Sequence, residues 1–170
     1  MIELLGVVGA ALGTGLVSAV FPLVNAEAAT VAVAWGLDVP TALAAVAGIA
    51  LGQTAGKVVV YESARAGGDW GRRWRARRGR DTPRDEGGAS RVGARLRALG
   101  RRLMDAMGPR WRTAAVLVLS ATVGLPPLLA TAVAAGVLRT RRLDFALCVA
   151  IGRLARFGVI AWPVIAATQG

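Results

Sequence analysis

A pair of long apolar stretches, residues 41–61 and 143–168, constrains the fold more than any other feature of the sequence. Each is about as long as the 20 residues that an α-helix needs to cross a bilayer. The chain of 170 residues is 55% hydrophobic, has a mean hydropathy of +0.52 and is only 5% aromatic. This profile predicts an all-α integral membrane protein rather than a soluble domain.

Two further apolar stretches are broken by proline. Residues 4–36 are interrupted at Pro22, and residues 113–138 at Pro126 and Pro127. The pieces around Pro22 are short for full crossings, and arginines on both sides of 113–138 favour both of its ends being cytoplasmic. We therefore predict two re-entrant hairpins that enter the membrane and return to the same side. The alternative for 113–138 is one crossing with a proline kink.

The positive charge is concentrated between the two pairs of apolar stretches. Residues 63–112 hold 15 of the 21 Lys and Arg residues and 5 of the 10 Asp and Glu residues, a net charge of +10. Such a segment could bind nucleic acid, but its place between apolar spans favours a cytoplasmic loop in contact with anionic lipid. We therefore expect a multi-pass membrane protein whose loop 63–112 is cytoplasmic, with no nucleic-acid partner.

A basic amphipathic helix is predicted within this loop at residues 90–107. Its apolar residues recur at spacings of four and three: Val92, Leu96, Leu99, Leu103 and Met107. Arginines occupy most of the remaining positions, a pattern typical of helices that lie along the cytoplasmic membrane surface. The alternative is an ordinary helix that packs on another part of the protein.

Several kinds of chemistry are not expected. The chain contains no histidine and a single cysteine, Cys148, so a His-ligated metal site and an intrachain disulfide are excluded. No acid cluster has the spacing of a divalent metal site, and no nucleophile lies beside a candidate base. We expect no enzyme activity and no cofactor. The absence of basic residues before the first apolar run favours its retention over cleavage as a signal peptide.

The two apolar halves resemble each other when the second is shifted back by one hundred residues. The shift aligns Gly36 with Gly136, Gly52 with Gly152, and Gln53 with Arg153. The domain organisation is then a first repeat at 1–62, the basic loop at 63–112 and a second repeat at 113–170. The loop is predicted to be cytoplasmic, so the first hairpin should open to the outside and the second to the inside. The two repeats would then be inverted relative to each other, with both termini external. This arrangement is typical of transporters with discontinuous helices.

Six polar side chains lie inside these membrane segments and form the candidate binding site: Asn25, Glu27, Gln53, Lys57, Arg153 and Arg156. A charge at membrane depth costs roughly 2.5–3.5 kcal/mol on insertion scales, so it normally faces a partner or a water-filled path. Residues spaced by three or four share a helix face, which places Gln53 beside Lys57 and Arg153 beside Arg156. We therefore expect the three bases to converge on Glu27.

One acid against three bases leaves a positive surplus that suits an anionic group such as a phosphate. Glu27 is also compatible with proton coupling, by taking up a proton when the substrate displaces its arginine. Two alternatives stay open. Glu27 and one arginine could form a permanent salt bridge with no transported ligand, and Lys57 could extend to the membrane interface instead.

The motifs that carry these residues resemble the DedA/VTT family, also called SNARE-associated Golgi proteins, in a small bacterial form. They are Phe21-Pro22-Leu23-Val24-Asn25-Ala26-Glu27, Gly48-x-x-x-Gly52-Gln53-x-x-Gly56-Lys57-x-x-x-Tyr61 and Gly152-Arg153-x-x-Arg156-Phe157. The resemblance covers roughly residues 4–62 and 113–165. It implies paired re-entrant hairpins and the movement or scrambling of lipids, including undecaprenyl phosphate in bacteria, often with proton coupling. Glu27 matches the family's embedded acid, and Arg153 and Arg156 match its basic positions.

These observations together predict a membrane transporter or scramblase for an anionic, phosphate-bearing lipid. In this hypothesis Glu27 couples or gates, Arg153 and Arg156 hold the head group, and the prolines keep the hairpin tips open. The alternative is a non-transporting scaffold whose basic helix at 90–107 recruits anionic lipid or a protein partner. Either function is compatible with a homo-oligomer.

Overall fold

The computed structural model describes residues 2–21, 25–78, 98, 102 and 105–169, and this part of the chain is helical without strands. Its six helices are α1 (Ile2–Val20), α2 (Ala26–Gly36), α3 (Val39–Arg78), α4 (Arg110–Val123), α5 (Leu128–Val137) and α6 (Arg142–Gln169). The prediction of an all-α fold is therefore confirmed for the described residues.

Two of these helices are long and apolar enough to cross a membrane, over Val39–Gly67 in α3 and Arg142–Thr168 in α6. They contain the predicted spans 41–61 and 143–168. Large apolar side chains also point away from the protein along α6: Leu143, Leu147, Ile151, Leu154, Val159 and Trp162 are all exposed. A continuous apolar outer surface of this kind is costly in water, so these helices indicate a membrane protein.

Helix α3 is longer than the predicted span because it continues to Arg78, into residues expected to form a loop from residue 63. The residues after Tyr61 are rich in alanine and arginine, which favour helix, and no proline follows before Pro83. The amphipathic helix predicted at 90–107 lies mostly outside the described residues. Its last member, Met107, is buried in a cluster with Tyr61 and Leu117.

Both proline-broken stretches contain a helix break. In the first, α1 ends at Val20 and α2 begins at Ala26, while Pro22 itself lies outside the described residues. In the second, the hydroxyl oxygens of Ser120 in α4 and Thr131 in α5 are 3.1 Å apart. Eleven residues of continuous helix would rise about 16 Å. The chain therefore turns back between α4 and α5. This geometry differs from that of one helix with a proline kink, which was the alternative for residues 113–138.

Helices α1 and α3 run parallel and touch through glycine. A Cβ added to Gly52 of α3 would lie 2.9 Å from the Leu16 amide nitrogen and closer still to the Leu12 carbonyl oxygen. Gly15 of α1 is equally close to the backbone of α3. The spacing Gly9-x-x-x-Gly13 also allows helices to approach closely, but nothing lies within 4 Å of either glycine's Cβ position among the described residues.

Helices α4 and α6 repeat this parallel arrangement. At one end Arg110 donates hydrogen bonds to both carboxylate oxygens of Asp144, at 2.7 and 2.8 Å. At the other end a Cβ added to Gly152 would lie 2.5 Å from the Ala121 Cβ and 3.0 Å from the Val118 carbonyl oxygen. Gly52 and Gly152 therefore play the same packing role in the two halves.

The long helices α3 and α6 cross in opposite directions. Near the end of the apolar part of α3, Tyr61 stacks on Phe145 with ring centroids 4.6 Å apart. Near its start, Ile49 shares a buried cluster with Phe157 and Ala161. Each shorter helix also packs on the long helix of the other half, α2 on α6 and α5 on α3. The two breaks are thereby brought towards the crossing of α3 and α6.

Candidate functional site

The polar residues predicted as a site meet near the crossing of α3 and α6. Gln53 lies at the middle of the apolar part of α3, and Arg153 lies close to the middle of that of α6. Both line one cavity of about 340 Å³ together with residues from the first helix break. The full lining is Ser18, Asn25, Ala26, Glu27, Gln53, Arg153 and Phe157.

An ion pair between Glu27 and Arg156 joins the two halves at this cavity. Arg156 Nε donates to Glu27 Oε1 at 3.0 Å, and Arg156 Nη2 donates to the same oxygen. Arg156 Nη1 donates to the Thr122 carbonyl oxygen at 2.8 Å. One guanidinium therefore holds α2 and the end of α4 together, and the predicted meeting of Glu27 with a basic residue of α6 is observed.

Asn25 positions the carboxylate as the N-cap of α2. Its Oδ1 accepts hydrogen bonds from the Glu27 amide at 2.9 Å and the Ala28 amide at 3.4 Å. The cap starts the helix directly after the break, so Glu27 falls in its first turn, where the helix dipole favours a negative charge. Asn25 thus has a structural role beside its place in the cavity lining.

The second break gives Arg156 access to a backbone carbonyl. Helix α4 ends at Gly124, whose φ of +89° lies in the left-handed region that favours glycine. A Cβ added to Gly124 would lie 3.4 Å from Arg156 Nη1. Pro126 and Pro127 lie in the following turn and are not among the described lining residues of the cavity. Pro126 instead accepts a hydrogen bond from Ser120 Oγ through its carbonyl.

Lys57 binds the end of α1 in a similar way. Its Nζ donates to the Ala19 carbonyl oxygen at 2.7 Å, and the residue is 8% exposed. The alternative in which Lys57 extends to the membrane interface is therefore wrong. A cation beside the last carbonyls of a helix also compensates the negative end of its dipole. Lys57 and Arg156 each use this contact to fasten a helix end to a long helix.

Arg153 and Gln53 each keep a buried polar atom with bonding capacity in the cavity. Gln53 Nε2 donates to Ser18 Oγ at 2.9 Å. Its Oε1 and the Arg153 Nε are buried with no hydrogen-bond partner among the described residues. The Arg153 guanidinium carbon lies 5.8 Å from the centre of the Phe157 ring, in a cation–π contact. The cavity therefore offers a guanidinium donor and an amide acceptor to a ligand.

Sequence reasoning missed four participants in this site. Ser18 bonds Gln53, and its signal was a hydroxyl group in an otherwise apolar last turn of α1. Phe157 was noted only as part of a motif, although it covers Arg153 and lines the cavity. The Ala19 and Thr122 carbonyl groups have no sequence signal, because a backbone acceptor is present at every residue.

The chain matches no protein-family model, no curated protein and no solved structure. The site is consequently interpreted from its geometry and chemistry. The resemblance to the DedA/VTT family stays a prediction that rests on the sequence motifs.

Proposed function

We propose that the chain moves an anionic, phosphate-bearing lipid across the bacterial inner membrane and that the head group passes the cavity at Gln53 and Arg153. The observation that carries this proposal is the buried Arg153 Nε, which lacks a hydrogen-bond partner among the described residues. Burying a polar group without a partner is costly, and a planar guanidinium matches the oxygens of a phosphate. A bound phosphate would satisfy the donor.

The charges around the cavity support an anionic ligand. Glu27 is bonded to Arg156, and Lys57 is bonded to a carbonyl group that carries no net charge. One carboxylate therefore stands against three bases in this set. In a medium of low dielectric constant such a surplus attracts an anion strongly. Arg153 is the base whose side chain lines the cavity, so it is the group that would contact the anion.

The proposed inverted repeats are supported by the contacts between helices. Each half has a parallel pair of helices that meet at Gly52 or Gly152, the two glycines aligned by the shift of one hundred residues. The long helices run in opposite directions, and the aligned residues Gln53 and Arg153 line the same cavity. Inverted repeats place substrate sites near the midplane of a membrane. Re-entrant hairpins and a cytoplasmic basic segment at 63–112 belong to this proposal.

Glu27 would couple the movement to protons. Proton uptake by its carboxylate would weaken the bonds from Arg156 Nε and Nη2 and leave the Thr122 contact in place. The link between α2 and α6 would then loosen while α4 stayed attached. Arg156 would then stay bonded to α4 but not to α2, so the first half could move relative to the second.

The experiment uses the full chain reconstituted in vesicles that carry a fluorescent phosphate-bearing lipid. Arg153→Ala should slow translocation about tenfold or more, because it removes a charge-assisted hydrogen bond, and Glu27→Gln should remove its dependence on a proton gradient. Arg112→Gln is the matched control, since it deletes a positive charge from an exposed residue that does not line the cavity. Unchanged translocation in both test variants would refute the mechanism.

Thermal unfolding of the same variants separates transport from a permanent salt bridge. A permanent Glu27–Arg156 salt bridge with no transported ligand predicts no translocation by any variant, and it predicts that Glu27→Gln lowers stability whereas Arg153→Ala does not. The transport proposal predicts that Arg153→Ala lowers translocation while the folded protein is retained. The scaffold alternative depends on residues 90–107, which lie mostly outside the described part of the chain.

A further inference from the structure

A second cavity, of about 460 Å³, lies between α4 and α6, away from Gln53 and Arg153. We call it the α4–α6 cavity. Its walls along the two helices are mainly apolar and include Ala114, Leu117, Phe145, Leu147, Cys148 and Ile151. The end where α5 joins α6 is lined by the Asp144 carboxylate and by three arginines, Arg110, Arg139 and Arg141. An apolar slot with a basic end has the charge and shape of an anionic amphiphile.

The basic end continues into an adjoining cavity of about 350 Å³. That cavity is lined by Arg65 and Arg142, and it shares Arg139, Thr140 and Arg141 with the α4–α6 cavity. The loop from 139 to 141 therefore separates two openings, both rich in arginine. Its position at the end of α6 is where the membrane interface is expected.

The arginines at this end of the cavity outnumber the carboxylates that pair with them in the described contacts. Asp144 pairs with Arg110 at 2.7 Å, and Glu62 pairs with Arg142 at 2.7 Å. Arg141 is exposed in the loop between them. An anionic head group placed here would meet a net positive rim and would not have to displace either ion pair.

One residue of this loop, Arg139, has a backbone conformation that glycine adopts more readily than other residues. Arg139 has a φ of +56°, in the left-handed region that costs a side-chain-bearing residue about 1 kcal/mol. The turn is fixed by the Thr140 amide, which donates to the Ala135 carbonyl oxygen at 3.1 Å. Tyr61 Oη donates to the Thr140 carbonyl oxygen from the other side. These bonds hold the loop in place between the two cavities.

We propose that the α4–α6 cavity binds an anionic phospholipid of the surrounding membrane. Its phosphate contacts Arg141 at the basic end, and one acyl chain lies along the apolar wall between α4 and α6. Charge complementarity selects this occupant over a zwitterionic lipid, and the apolar wall selects it over a free phosphate. The assignment is independent of transport at Arg153.

The single cysteine of the chain provides the probe, because Cys148 lines the α4–α6 cavity. The full chain is reconstituted in vesicles of phosphatidylcholine alone or with phosphatidylglycerol, and Cys148 is labelled with an uncharged maleimide. Bound phosphatidylglycerol should slow the labelling about fivefold. Equal labelling rates in the two kinds of vesicle would overturn the proposal.

Two variants and a matched control test the two parts of the site. Arg141→Gln should abolish the protection by phosphatidylglycerol, whereas Arg112→Gln, which removes the same charge outside the cavity, should keep it. Ala114→Phe should fill the apolar wall and abolish the protection with every arginine in place. Loss of protection in Arg112→Gln would mean that bulk surface charge, not this cavity, is responsible.

A third arm separates the lipid from a free anion. Inorganic phosphate added to phosphatidylcholine vesicles should leave the labelling rate of Cys148 unchanged. Protection by inorganic phosphate equal to that by phosphatidylglycerol would assign the rim to a soluble anion and refute the lipid assignment.

Discussion

Gly52→Ala should separate α1 from α3, because the added methyl group has no room. Its Cβ would lie 2.9 Å from the Leu16 amide nitrogen and closer to the Leu12 carbonyl oxygen, whereas an ordinary contact begins at 3.4 Å. The helix α1 must therefore retreat by about 1 Å, because the Leu12 carbonyl oxygen is the closer obstacle and both obstructing groups are backbone and have no other rotamer. The same retreat would stretch the 2.9 Å bond from Gln53 to Ser18.

Two opposing effects set the magnitude. Alanine favours helix over glycine by about 1 kcal/mol, which stabilises the variant. Overpacking costs about 1–3 kcal/mol, and the upper part of that range applies when backbone obstructs backbone. We expect a net loss of about 2 kcal/mol, or about thirtyfold in the ratio of folded to unfolded protein. Gly9→Ala meets nothing within 4 Å of its Cβ and should show only the favourable effect.

The assay compares thermal unfolding of the purified chain, followed by circular dichroism, for Gly52→Ala and Gly9→Ala. Gly152→Ala serves as the counterpart in the second half, where the Cβ would lie 2.5 Å from the Ala121 Cβ. We expect Gly52→Ala and Gly152→Ala to melt at a lower temperature than the wild type, and Gly9→Ala to melt at the same temperature or above it. Equal stabilities for all three variants would refute the close parallel packing of α1 on α3.

Two smaller predictions concern hydrogen bonds made by Tyr61 of α3 and by Asp38, the residue before α3. Tyr61→Phe should cost about 1 kcal/mol in unfolding free energy, because the Thr140 carbonyl loses its hydroxyl donor while the stack on Phe145 stays; an unchanged melting temperature would contradict this bond. Hydrogen bonds from Thr41 hold the pKa of Asp38 below its usual value, so their contribution is present above the unfolded-state pKa and is lost as the pH falls through the folded-state pKa. Asp38→Asn should flatten this part of the pH–stability profile, and identical profiles would contradict the hydrogen bonds from Thr41 to Asp38.

The spans and the ion pair could be predicted because burial constrains them strongly. A carboxylate in an apolar stretch needs a partner, and the bases that shared a face of α6 supplied one. The structure joins Glu27 to Arg156 and leaves Arg153 in the cavity. Sequence alone gave no reason to separate the two arginines, because their chemistry is identical and their spacing keeps both on one face.

Other features depend on tertiary contacts that local pattern does not encode. Glycines at 9 and 13 and at 48, 52 and 56 have the same small-residue spacing, yet close contact with a neighbouring helix occurs only at the second set. The pairing follows from the register of α1 on α3, and one helix's own sequence does not determine it. The extension of α3 to Arg78 was missed because arginine indicated a solvated loop, although it is also a good helix former.

The two helix breaks show how such a chain can afford an interrupted backbone in an apolar medium. A helix end leaves carbonyl groups without partners, and in lipid each one costs several kcal/mol. Here Lys57 bonds the Ala19 carbonyl and Arg156 bonds the Thr122 carbonyl. Two of the three bases are therefore needed by the fold itself. Arg153 is then the base that remains to bind an anionic ligand. Substitutions at Lys57 and Arg156 should therefore act mainly on stability, and substitutions at Arg153 should act mainly on ligand binding.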